Sequence, residues 1–87
     1  MRTARQTDIR RALLKVLCMV PEGYMLPERL LRAEAARLLV PPAPTTAELD
    51  AEIRDADTVR LVIGLPSEDC LEYKISTAGR AWLAEHS

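Results

Sequence analysis

The 87-residue chain has no phenylalanine, one histidine, two cysteines and three glycines, and each shortage removes a class of chemistry. Gly23, Gly64 and Gly79 stand alone, so neither a Walker-type phosphate loop nor a G-x-G-x-x-G dinucleotide turn can be assembled. Cys18, Cys70 and His86 are three metal-ligand candidates with no C-x-x-C pair, short of the four ligands of a structural zinc site. The two thiols, far apart in the chain, read as reduced cysteines. His86 lies beside the C-terminus, where no rigid element would hold an imidazole in register with a nucleophile. No stretch approaches the roughly 18 consecutive apolar residues of a membrane span. Arg2, Arg5, Arg10 and Arg11 break up the region where a signal peptide would be apolar. The expectation is a cytoplasmic, non-enzymatic protein without cofactor, metal or membrane partner.

What remains is sufficient for one core. Apolar residues make up 48% of the chain and charged residues 29%, and a chain of this size buries roughly 60 to 65% of its unfolded surface. One domain spanning 1–87 follows, too small for a deep substrate pocket beside its core. The net charge of -1 conceals a strong polarity along the chain. Residues 1–15 carry Arg2, Arg5, Arg10, Arg11 and Lys15 against Asp8, a net +4. Residues 46–57 carry Glu48, Asp50, Glu52, Asp55 and Asp57 against Arg54, a net -4. A phosphate backbone would be attracted to the first segment and repelled by the second.

Periodicity divides the chain into elements. Residues 1–7 read as a flexible basic arm, after which Thr7 or Asp8 caps a helix over 8–20. Its stripe is Ile9, Leu13, Val16, Leu17 and Val20, and Pro21-Glu22-Gly23 ends it. Tyr24-Met25-Leu26 is a short extended piece before Pro27. Pro27 then opens a second helix, 27–39, with Leu30, Leu31, Ala35, Leu38 and Leu39 as its buried side. Val40-Pro41-Pro42-Ala43-Pro44 is a stiff connector. Thr45 and Glu48 fit a capping box for a third helix, 46–57, with a narrow apolar stripe of Leu49, Ile53 and Ala56 and an acidic side in water. Alternation over 58–76 predicts a hairpin, with Val59, Leu61, Ile63, Leu71, Tyr73 and Ile75 inward and Gly64 to Cys70 forming its tip loop. Ser76 or Thr77 caps a last helix, 77–85, carrying Trp82 and Leu83. The expected core combines Leu13, Val16, Leu17, Leu30, Leu49, Ile53, Leu61, Ile75 and Leu83.

The fold class is therefore mainly α with a small β-hairpin wing, in the order α-β-α-α-β-β-α. That order, together with Tyr73-Lys74-Ile75-Ser76-Thr77-Ala78-Gly79-Arg80-Ala81-Trp82-Leu83, resembles the winged helix-turn-helix family across almost the whole chain. The segment is similar to that family's second wing strand and last helix, Y-x-[LI]-[TS]-x-x-G-x-x-x-L. The resemblance implies a regulator that binds duplex DNA, with the helix before the hairpin in the major groove and the wing on the flanking backbone. The phosphate-contacting residues would be Arg2, Arg5, Arg10 and Arg11, joined by Arg54, Arg60 and Lys74; Arg29, Arg32 and Arg37 are further cations or an ordinary solvated face. The chain departs from the family at three places. Its third helix is acidic where bases would be read, its hairpin tip carries Glu68 and Asp69, and a proline-rich connector replaces the tight turn. A second reading is thus a winged-helix module that binds another protein or itself as a homodimer, through Leu14, Met19 and Trp82, apolar residues beyond one core stripe.

Overall fold

The computed structural model describes residues 2–86. Thr3 opens the first helix, α1 (Ala4–Cys18): its hydroxyl accepts from the Gln6 N–H at 3.1 Å, and the Gln6 side chain accepts from the Thr3 N–H at 2.8 Å. This reciprocal cap replaces the expected start at Thr7 or Asp8 and removes most of the flexible arm. Residues 4–7 are already helical, and Met1 of that arm lies outside the described residues. The helix stops at Cys18, two residues before the expected 20, and Gly23 takes a φ of +87° in the turn that follows.

α1 is the central element, packed against three other helices and the sheet. That role explains its wide apolar surface: Ile9, Ala12, Leu13, Leu14, Val16 and Leu17 are all buried. Leu14, expected at a dimer interface, has 0% exposure and belongs to the core. The second helix, α2 (Glu28–Arg37), follows the two-residue strand β1 (Leu26–Pro27) directly. It buries Leu31 and Ala35, one helical turn apart, and leaves Leu30 46% exposed. Leu30 is therefore a correction to the expected core, about 100° around the helix from Leu31, whereas Leu38, expected on the buried side, is exposed because it lies past the end of the helix. α2 ends before Leu38, whose N–H turns back to the Ala35 carbonyl at 3.1 Å.

The third helix, α3 (Thr46–Thr58), starts on the expected capping box, with Thr45 accepting from the Glu48 N–H at 3.1 Å and Glu48 accepting from the Thr45 N–H at 3.0 Å. Leu49, Ile53 and Ala56 are buried as expected, but Glu52 is buried with them. Arg60 then adopts a left-handed φ of +67°. This turn resets the side-chain phase, so Leu61 and Val62 face the core while Val59 and Ile63 do not. The strands are β2 (Val62–Ser67) and β3 (Cys70–Ile75), shorter than the expected 58–76 hairpin at its start because 58–61 complete α3 and its turn. At the other end the strands run through Gly64, Leu65 and Pro66, and the tip is only Glu68-Asp69.

The sheet order is β1-β3-β2, all antiparallel, with Leu26 opposite Tyr73 and Gly64 opposite Tyr73 on the other side. β2 is an edge strand, where Pro66 does not interrupt a central ladder. Tyr73 and Ile75 are buried as expected, whereas Leu71 lies past the edge of the core and is exposed. The last helix, α4 (Thr77–His86), is capped by Ser76, which accepts from the Gly79 N–H at 2.9 Å and donates to the Arg60 carbonyl at 2.6 Å. Gly79 is required by close approach: a Cβ there would lie 2.1 Å from the Leu61 carbonyl oxygen. Four helices and a three-stranded sheet thus enclose one core, with Trp82 and Leu83 half-buried against it. No helix among the described residues is long and apolar enough to cross a membrane.

Candidate functional site

The two oppositely charged segments of the sequence lie against each other in the fold. Glu48, Glu52 and Asp55 occupy one stripe of α3, at spacings of four and three, and this stripe faces the N-terminal part of α1. Arg5 donates from Nε and Nη2 to the two carboxylate oxygens of Glu48, at 2.5 and 3.1 Å. Arg2 reaches Glu52 at 2.7 Å and Asp55 at 3.0 Å. Arg10 lies 3.4 Å from Glu52 and also pairs with Asp55. The acidic side of the third helix, expected in water, is for the most part covered by arginines.

The deepest part of this seam is the Arg10–Glu52 pair, whose side chains are 6% and 5% exposed. Charges so placed must be matched, because an unpaired ion in a low-dielectric interior loses its hydration without return. Arg10 obtains further cover from Trp82, whose ring centre is 5.7 Å from the guanidinium carbon, and Trp82 in turn stacks on His86 at 3.8 Å. The Arg10 Nε has no hydrogen-bond acceptor in line, so Glu52 acts on it through charge. At the exposed end of the seam, hydrogen bonds from Arg5 and from the Thr45 backbone hold the Glu48 carboxyl down to about 2, and the same contact raises Arg5. Burial, with Glu28, Asp57 and Asp50 nearby, pushes the Tyr73 phenol up.

The expected phosphate-contacting residues thus fall into two groups. Arg2, Arg5 and Arg10 are engaged by α3, and Arg11 donates to Asp8 at 2.9 Å and to the His86 carbonyl at 2.5 Å. Arg54, Arg60 and Lys74 are exposed, and among the described residues none of the three forms an ion pair. On α2, Arg32 pairs with Asp50 at 2.9 Å and Arg37 with Glu34 at 3.0 Å. Six acids make no ion pair among the described residues: Glu68, Asp69 and Glu72 at the hairpin, and Glu22, Asp57 and Glu85 elsewhere.

The three apolar residues expected to form a dimer contact do not share one patch. Leu14 is in the core, Trp82 covers Arg10, and only Met19 is well exposed. The other exposed large apolar side chains are Leu30, Leu38, Val40 and Val59 on and after the helices, Ile63, Leu65 and Leu71 on the hairpin, and Tyr24 beside the sheet. An open depression of about 380 Å³ is lined by Val20, Tyr24, Ile63, Lys74 and Arg80. A second, of about 530 Å³, lies between the start of α2 and the acidic hairpin tip. Among the described residues no group of three His, Cys, Asp or Glu side chains is placed to hold a metal ion.

Sequence reasoning missed Glu52 as the centre of the seam. A signal for it existed: Leu49, Glu52, Ile53 and Ala56 form an i, i+3, i+4, i+7 stripe, which places a carboxylate on the buried face of α3. The equal and opposite net charges of residues 1–15 and 46–57 were the second half of that signal. Comparison of the chain with protein-family models, curated proteins and solved structures finds no match.

Proposed function

We propose that the chain is a non-enzymatic winged-helix-type domain that binds protein, and that it does not depend on duplex DNA for its role. The fold part of this reading is supported by the order α1, β1, α2, α3, hairpin, α4 and by the Ser76 and Gly79 contacts that tie the last helix to the α3–β2 turn. The functional part rests on one observation: Arg2, Arg5 and Arg10 are matched by carboxylates of α3. An arginine already neutralised by an internal partner releases no counterions when it meets a phosphate, which is the main source of affinity for nucleic acid. The acidic hairpin tip acts in the same direction, since a wing bearing Glu68 and Asp69 is repelled by a phosphate backbone. A cytoplasmic location is part of the proposal, with Cys18 and Cys70 both free thiols.

Arg54, Arg60 and Lys74 favour a second reading, weak duplex binding, because they are exposed cations on α3, its turn and the hairpin that form no ion pair among the described residues. Fluorescence anisotropy with a random-sequence duplex at low salt separates the two. The protein-binding reading expects no change in anisotropy at tens of micromolar protein. Binding that weakens with salt, at a slope of about -2.7 for three phosphate contacts and lost in the Arg54→Ala/Arg60→Ala/Lys74→Ala variant, would replace it with the DNA reading.

A further inference from the structure

We infer that the outer face of the three-stranded sheet is a self-association surface, on which a second copy of this chain packs face to face about a two-fold axis running across the strands. The face is defined by the register. Val62 and Ile75, and Gly64 and Tyr73, are opposite pairs turned to the core. The alternate pairs, Ile63 with Lys74 and Leu65 with Glu72, therefore project from the other side. Ile63 is 40% and Leu65 49% exposed, and no helix covers them. Neither Lys74 nor Glu72 has an ion-pair partner among the described residues.

These four side chains form a self-complementary arrangement. On β2 the order is apolar, apolar; on β3, beside it, acid stands next to Leu65 and base next to Ile63. A two-fold axis across the strands, midway between the two rows, reverses strand direction and keeps β2 over β2 and β3 over β3. It sets Ile63 against Leu65 of the second copy and Lys74 against Glu72 of the second copy, each contact occurring twice. Two sheets facing each other at about 10 Å allow such side chains to interdigitate. The alternative axis, along the strands, would bring the charged side chains of each copy over the apolar ones of the other. Charge complementarity thus selects both the occupant, another copy of the chain, and its orientation.

The size of the face sets the strength. Two six-residue strands and the two-residue β1, about 4.8 Å apart, give a footprint of at most about 15 by 20 Å per copy. That is well under the roughly 800 Å² per partner of a stable complex. The dimer is accordingly weak and reversible. This inference deepens the protein-binding reading by naming a partner, and it is tested separately from it: sedimentation reads the dimer whatever the anisotropy with DNA shows.

The experiment is sedimentation equilibrium of the full chain from about 10 μM to about 1 mM, a range chosen to bracket the affinity of so small an interface. The parent mass should rise from monomer toward dimer. Lys74→Glu and Glu72→Lys, each placing like charges opposite one another, should each weaken association by tenfold or more. The double variant, Lys74→Glu with Glu72→Lys, should restore it, since the exchange rebuilds both pairs. Leu65→Ser should hold the protein monomeric throughout, with a thermal melt confirming that it folds. A parent that stays monomeric at the highest concentration overturns the inference. So does a double variant as weak as the single ones, or a dimer indifferent to all four changes.

Discussion

Replacing Glu52 with Gln preserves the shape of the side chain and removes one charge from the most buried point of the α1–α3 seam. In the parent, Glu52 faces Arg10 at 3.4 Å and Arg2 at 2.7 Å. After the change, Arg10 is a cation of 6% side-chain exposure that keeps only Asp55 and the face of Trp82. Removing one partner of a buried pair costs about 3 to 5 kcal/mol, and the surviving Asp55 contact places this case near the lower end. For a domain of this length about 3 kcal/mol corresponds to a fall in Tm of roughly 12 to 24 °C. The assay is thermal unfolding followed by far-ultraviolet circular dichroism at neutral pH. The paired change Arg10→Met with Glu52→Leu supplies the contrast, since well-packed apolar replacements of a buried ion pair are often neutral or stabilising. The Asp55→Asn change tests the same reasoning at a carboxylate that is 51% exposed, where each of its two pairs, with Arg2 and Arg10, is worth about 1 kcal/mol at most. If Glu52→Gln melted within about 2 °C of the parent, the seam would be solvated and the argument from burial refuted.

Two further expectations follow from the same geometry. Because the Glu48 carboxyl is held at about 2 in the folded chain, the unfolded state binds more protons between about pH 4.5 and 2, and stability falls as pH is lowered through that window. The difference in Tm between the parent and Glu48→Gln should be present at pH 6 and closed by about pH 2; an NMR titration placing Glu48 in the ordinary carboxylate range would contradict it. In the core, Leu14→Ala should cost about 2 to 5 kcal/mol and Leu30→Ala less than about 1 kcal/mol, read by urea unfolding. The reverse order would mean that α1 is turned about its axis from the arrangement described.

Local signals in the chain were sufficient for the elements themselves. The capping box at Thr45 and Glu48, the Ser76 cap and the strand alternation around Tyr73 and Ile75 depend on residues within a few positions of each other. Gly79 was legible as the glycine of the segment that resembles a wing strand running into its last helix. The start of α1 was misplaced because Thr3 and Gln6 form a less familiar cap, Gln in place of Glu, in front of a run that looked merely basic.

Tertiary structure decided which faces were covered and which charges were free. A helical period assigns residues to a face of their own helix, but not to the neighbour that covers it; Leu14 and Leu30 changed places for that reason. The phase of β2 depended on one left-handed residue, Arg60, which no alternation pattern encodes. The fate of the charges was the least legible of all, because the pairs are made between residues 42 to 53 positions apart. Read along the chain, residues 1–15 are a basic arm and residues 46–57 an acidic helix. Folding brings them within hydrogen-bond distance, and at that separation each arginine is attracted by its carboxylate far more strongly than by a distant phosphate.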